Sequence, residues 1–340
     1  MPDIMNNNNI VFKAKNLNLG YKITSKSSKI VLKDVNFEMK RGELIALIGA
    51  NGAGKSTLIK TLCGFIAPIS GDLLFENDVL SSFSKKELAK KIGVVLTERN
   101  SEGGFTAFEL VSLGRYPYTG FFGTLSSEDE KIIENALSLV GISHLKNRYI
   151  SELSDGERQK VIIAKSIAQQ CPIIILDEPT AFLDLKSKVE ITSLLRDLAK
   201  KEGKCIIMSS HDLELSLQLS DKLFLISKNA PVVYGATETL VLEGRLNDIF
   251  GKENSSIEFD DEIGMFKSKK SNKIAIKTSG EDIPHFWLKN ALLRNGYMPT
   301  NEDSAIEIIA KSANCFIFKD SNQEIEFKTI ESIIEKIHKG

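Results

Sequence analysis

No uninterrupted apolar run in these 340 residues approaches the ~18 that a membrane-spanning helix needs. The opening stretch "MPDIMNNNNI" has neither a basic cluster nor an apolar core, so no secretory signal is expected there. Charge of one sign is not in excess. With 44 Lys and Arg against 45 Asp and Glu, the net charge of −1 argues against a polycationic nucleic-acid binder, while leaving a local patch open. Cysteine is scarce, and Cys63, Cys171, Cys205 and Cys315 form no C-x-x-C pair. They read as buried thiols of a reducing compartment, with no disulfide framework and no zinc site. No internal repeat is present, and Asn6 to Asn9 is the one low-complexity tract.

What is present is a chain long enough for roughly two domains, each with a sizeable core. After a polar start over 1–9, expected to be disordered, "IVFKAKNLNLGY" (10–21) and "IVLKDVNFEM" (30–39) alternate like half-buried antiparallel strands. From 44 to 226 apolar bursts, "ELIALI", "IGVVL", "PIIILDE" and "CIIMSS", alternate with amphipathic stretches such as 157–169 and 185–201. That is the pattern of an α/β core with central parallel strands. Residues 105–152 interrupt it with a mostly helical segment. The stretch 251–273, ending in the charged "KSKKSNK", is read as a linker, and 274–340 as a small C-terminal α/β domain with helices around "HFWLKNALLRNGY" and "IESIIEKIHKG".

Between the strand at 43–48 and a helix ending in glycine lies "GANGAGKST". Gly49, four residues, then Gly54, Lys55 and Ser56 fit G-x-x-x-x-G-K-[ST], a phosphate cradle. Glycines let backbone N–H groups approach a polyphosphate, and the following helix adds its positive end. Asn51, Gly52, Ala53 and Thr57 complete the nucleotide loop. Lys55 is placed to neutralise β- and γ-phosphate oxygens, and the Ser56 hydroxyl to ligate Mg²⁺. "IIILDEPT" supplies acids at a strand end: Asp177 for Mg²⁺ or its water shell, Glu178 to polarise an attacking water. "ISELSDGERQKVIIAKSIAQ" opens a long helix on Ser154, an N-cap in isolation and a second anion site in this company.

Lys55, Ser154, Asp177 and His211, in that order and spacing, resemble the nucleotide-binding domain of ABC ATPases over residues 10–250. The resemblance implies a P-loop NTPase of the ABC type, with an antiparallel β subdomain, a RecA-like parallel-sheet core and a helical subdomain, acting on ATP with Mg²⁺. It implies that "LSDGE" is the signature, with Ser154, Gly156 and Glu157 facing ATP on the other subunit of a homodimer. Leu183 and Asp184 would form the D-loop, His211 would contact the γ-phosphate, and Tyr21 would stack on adenine. Two positions depart from the family. Asp155 replaces a signature glycine, and its carboxylate is expected to turn back and cap the helix. Thr97, followed by Glu98, stands where the family has glutamine, so Thr97 is expected to reach Mg²⁺ through a water, with direct ligation by Glu98, or no metal contact from either, as the alternatives.

The segment "FTAFELVSLGRYPYTGFFG" (105–123) resembles the ATPase subunits of importers for iron chelates (siderophores), haem and vitamin B12 (cobalamin). The resemblance implies partner permease subunits in the membrane, indirectly a substrate-binding protein, no nucleic acid, and a peripheral place on the cytoplasmic face of the inner membrane. Tyr116, Tyr118, Phe121 and Phe122 are the expected docking aromatics. The alternatives are a transporter for another cargo, or a soluble ABC ATPase acting on nucleic acid or ribosomes. Against the latter stand a single P-loop and only 122 positions between Lys55 and Asp177 (177 − 55).

Overall fold

The computed structural model describes residues 9–24, 27–96, 104–120, 123–228, 230–251, 257–260, 265–268 and 274–339. Residues 1–8, Thr97, Glu98, Phe121, Phe122 and most of 251–273 therefore lie outside the described residues. The chain divides into two compact units, one built on residues up to 254 and the other on residues from 267 to the end.

In chain order the first unit runs β1 (Ile10–Lys22), β2 (Ser28–Lys40), β3 (Leu44–Gly49), α1 (Lys55–Leu62), β4 (Ser70–Phe75), β5 (Asp78–Val79), α2 (Lys85–Lys91) and β6 (Ile92–Val95). It continues through α3 (Ala107–Ser112), α4 (Ser127–Leu139), α5 (Asp155–Ala168), β7 (Ile173–Leu176), α6 (Leu185–Glu202), β8 (Cys205–Ser210), α7 (Leu213–Leu219), β9 (Lys222–Ile226), β10 (Val233–Ala236) and α8 (Thr237–Leu242).

Two sheets form. The first is antiparallel, in the order β2-β1-β4-β5. The second, β10-β9-β3-β8-β7-β6, is parallel except for its edge strand β10. All six residues of β3 and of β8 are buried, as a sheet covered on both faces requires. The pleat sorts them. Leu44, Ala46, Ile48, Ile206 and Met208 join the cluster containing α3 to α6, whereas Ile45, Leu47, Cys205 and Ile207 pack toward α1 and the antiparallel sheet. Truncating a fully buried Leu47 to Ala is worth about 2–5 kcal/mol by this packing. The parallel strands all end on one side, which collects the loops after β3, β7 and β8 along one crest.

The helical segment is α3 and α4 packed on α5. Each of these three helices starts with the same device, a Ser or Thr whose hydroxyl accepts from the N3 amide while the N3 acid reaches back: Thr106 with Glu109, Ser126 with Asp129, Ser154 with Glu157.

Residues 257–260 (β11, Ile257–Asp260) and 265–268 (β12, Met265–Ser268) pair as a two-stranded ribbon inside the stretch read as linker. The second unit then runs β13 (Ala275–Gly280), α9 (Asp282–Arg294), β14 (Met298–Thr300), β15 (Glu307–Ser312), β16 (Cys315–Lys319), β17 (Glu324–Phe327) and α10 (Ile330–Lys339). Its sheet order is β14-β13-β15-β16-β17, with β13 parallel to both neighbours and the rest antiparallel. Leu288 and Leu292 of α9 and Ile333 of α10 bury with Ile276, Ile308, Ala310, Phe316 and Phe318 in a core of their own.

Candidate active site

The loop after β3 wraps a cavity of about 240 Å³ lined by Tyr21, Ala50, Asn51, Gly52, Gly54, Lys55, Ser56, Thr57 and Glu178. Gly49 is glycine because the backbone passes β9 closely: a Cβ there would sit 2.1 Å from the Ile226 carbonyl oxygen. Lys55 is almost fully buried, and its ammonium donates to the carbonyls of Gly49 at 2.6 Å and Ala50 at 3.4 Å. Burial lowers its pKa, while the Glu178 and Asp177 carboxylates act in the opposite direction. A polyphosphate entering the loop replaces carbonyl dipoles with formal charge. Tyr21, 42% exposed near the end of β1, lies over the loop with its hydroxyl 3.2 Å from Thr57 Oγ1.

The two acids follow β7. The Asp177 amide donates to the Val95 carbonyl of β6 at 2.8 Å, and its Oδ1 accepts from Ser209 Oγ at 2.6 Å. The same hydroxyl accepts the Glu178 amide at 2.8 Å, so Ser209 of β8 fixes both acids at once. Glu178 adopts φ +49, a left-handed conformation uncommon for this residue type. The turn brings Oε1 to 2.7 Å from His211 Nε2, placing the imidazole proton on Nε2 while Glu178 is ionised. A second cavity of about 410 Å³ opens beyond Glu178, lined by His211, Ser210, Asp212, Lys188 and Phe182 among others. Glu178 lines both.

Ser154, Gly156 and Glu157 line neither cavity. The Ser154 hydroxyl donates to Glu157 Oε2 at 2.7 Å and caps α5, which lowers the Glu157 carboxyl pKa. The expectation that Asp155 caps this helix is corrected. The Ser154–Glu157 pair already fills the cap, so Asp155 turns outward to Arg158 Nη1 at 3.4 Å. Gly156 packs against α6, where a Cβ would come within 2.9 Å of Ser187 Oγ. Asp184 caps α6 through the Ser187 amide at 2.8 Å, and that bond lowers its pKa.

The aromatic segment splits. Tyr116 is 76% exposed, but Tyr118 donates to the Gln169 carbonyl at 3.0 Å and lies 4.2 Å beneath the Arg115 guanidinium. Tyr118 is thus anchored on one side to the end of α5, yet it stays 39% exposed beside Tyr116. Arg115 is buried, pairs with Asp129 at 2.7 Å and donates to the Ala168 carbonyl at 2.8 Å. The aromatic segment is thus bolted to the C-terminal end of α5, the helix whose N-terminus carries Ser154. Sequence reading missed both Arg115 and Ser209. A serine closing the otherwise apolar "CIIMS" was the available signal for Ser209.

Residues 32–181 match the ABC transporter family model, and 272–338 match the iron ABC transporter C-terminal domain. An ABC transporter ATP-binding protein of Methanocaldococcus jannaschii is 39% identical over 274 residues, covering 79% of this chain and 92% of that protein. This chain belongs to the ABC transporter ATP-binding proteins. Its fold is therefore the P-loop ABC cassette with a C-terminal extension, and its activity is ATP hydrolysis. The petrobactin import ATP-binding protein FpuD of Bacillus anthracis is 34% identical over 241 residues, 71% of this chain and 86% of FpuD. A dimeric ATP-binding cassette solved in a post-hydrolysis state with ADP and Pi superposes with a TM-score of 0.57 at 28% identity, covering 66% of this chain and 98% of that one. Among the described residues no helix of the ATPase is long and apolar enough to cross a membrane.

Proposed function

We propose that this ATPase energises uptake of an iron chelate, with haem and cobalamin as the related cargoes, through a membrane permease it serves from the cytoplasmic face. The match of residues 272–338 to the iron ABC transporter C-terminal domain carries this reading, and the import relative supports it. Exposed Tyr116 and Tyr118 are the described part of the surface offered to the permease, and a substrate-binding protein acts beyond it.

ATP sits in the P-loop cavity with adenine against Tyr21 and phosphates among the amides of Asn51 to Thr57, held by Lys55. The Ser56 hydroxyl and the Asp177 carboxylate are hard oxygen donors suited to Mg²⁺. When bound, Mg²⁺ neutralises charge developing on the phosphates. Ser209 orients Asp177 toward that site. Glu178 accepts a proton from the attacking water, and His211 holds its carboxylate and reaches the γ-phosphate. Thr97 is proposed to complete the Mg²⁺ shell through a water.

The similarity to a dimeric ATP-binding cassette supports a site completed by a second copy, whose signature helix, capped by Ser154, presents its N-terminus to the ATP. Asp184 and Leu183 accompany it. The cargo is tested by deleting the gene in its native cell and measuring uptake of radiolabelled iron on a siderophore. Uptake should fall, and return with the wild-type gene but not with Glu178→Gln. Unchanged iron-chelate uptake, with loss of another solute's uptake, would contradict the cargo.

A further inference from the structure

The second unit carries a helix that is apolar on both sides. On α9, Leu288, Ala291 and Leu292 face the core of their own unit. On the opposite side Ile283 is 73% exposed, Phe286 38% and Trp287 57%, with half-buried Leu293 two turns on. These positions recur at helical spacing, i, i+3, i+4 and i+10, so they form one stripe. The Phe286 and Trp287 rings lock edge to face with centroids 5.4 Å apart, which pre-forms the surface before anything covers it. A surface helix needs only one apolar face, and large adjacent aromatics left in water mark an interaction site.

The charges around the stripe select the occupant. Glu281 and Asp282 stand at the N-terminal end of α9, Lys289 and Arg294 toward its C-terminal end. A helix with acids at one end and bases at the other is complementary to itself when laid antiparallel. Acids then meet bases at both ends, the helix dipoles oppose, and aromatics meet across a two-fold axis. We propose that the outward face of α9 pairs antiparallel with the same face of a second copy of this chain. This interface is separate from the ATP-filled one: it needs no nucleotide, and the ATPase pair supplies its second copy at high local concentration. A single helix face is smaller than most stable interfaces, so without nucleotide the pairing is weak and seen toward high protein concentration, and the ATPase pair strengthens it.

The test uses the full-length chain without nucleotide, which excludes ATP-driven pairing. Sedimentation over a dilution series should show reversible dimerisation. Trp287 is the single tryptophan of the chain, so its emission should move to shorter wavelength in step with dimer formation. Trp287→Glu should raise the dimer dissociation constant by about 100-fold or more, the behaviour of a central aromatic anchor. Trp287→Phe should leave it little changed, and both variants should bind ATP as the wild type does. A chain that stays monomeric at every soluble concentration overturns the proposal. So does short-wavelength emission from a monomer, which would mean that the chain's own residues cover α9, or a shift produced only by phospholipid vesicles.

Discussion

Replacing Arg115 with Ala should destabilise the ATPase unit without touching the nucleotide cavity. The guanidinium is buried, and it pairs with Asp129 at 2.7 Å, donates to the Ala168 carbonyl at 2.8 Å and Gln170 Oε1 at 2.9 Å, and covers Tyr118. Breaking one side of a buried ion pair costs about 3–5 kcal/mol. Asp129 retains bonds from the Ser126 amide at 3.0 Å and hydroxyl at 2.6 Å, so the lower end, about 3 kcal/mol, is expected. For a unit of this size that is a fall in Tm of about 6–12 °C. Arg115→Lys keeps the charge but not the fork, and should fall between. The pH arm has a defined sign. Hydrogen bonds from Ser126, then the Arg115 contact, hold the Asp129 carboxyl at about 2, below its ordinary 3.8. Its stabilisation is complete above 3.8 and is lost as pH falls toward 2. The gap between wild type and Arg115→Ala should therefore narrow below about pH 4. The assay is thermal unfolding followed by circular dichroism at neutral and acid pH. A Tm change under about 2 °C would refute the buried clamp, as would a gap that does not respond to acid.

Burial pushes the Cys63 and Cys171 thiols up to about 12 and raises Cys205 further, so alkylation of the native chain near pH 8 should label Cys315 alone. Peptide mass mapping reads this, and rapid labelling of Cys205 would contradict the core. Tyr116→Ala should leave stability within about 0.5 kcal/mol yet weaken co-purification with the permease, whereas Tyr118→Ala should lower Tm; equal melting curves would contradict the division between them. Tyr21→Ala should weaken ATP binding by about 1–3 kcal/mol, measured by calorimetry, with unchanged affinity contradicting the adenine contact.

Where function depends on a short run of residues, the sequence already displays it. "GANGAGKST" is a loop only a phosphate site requires, and "IIILDE" puts acids at the end of a strand that the core demands. What lay hidden depends on contacts between distant segments. Ser209 matters because β8 lies beside β7, and the Glu178–His211 pair depends on a left-handed turn at Glu178. Arg115 looked like part of a docking motif until its partners, 14 and 53 residues away, were in place. Asp155 was misjudged because Glu157 competes for the same cap. Strands β14 and β17 escaped notice because three or four residues cannot establish an alternation.

The central claim is that this chain hydrolyses ATP with Glu178 as base, at a site shared by two copies. Glu178→Gln, given ATP and Mg²⁺, tests it most directly through single-turnover hydrolysis and sedimentation on one sample. Hydrolysis should slow by about 10²- to 10⁴-fold, with ATP retained in a dimer. Hydrolysis at the wild-type rate, or a nucleotide-loaded monomer at high concentration, would contradict it.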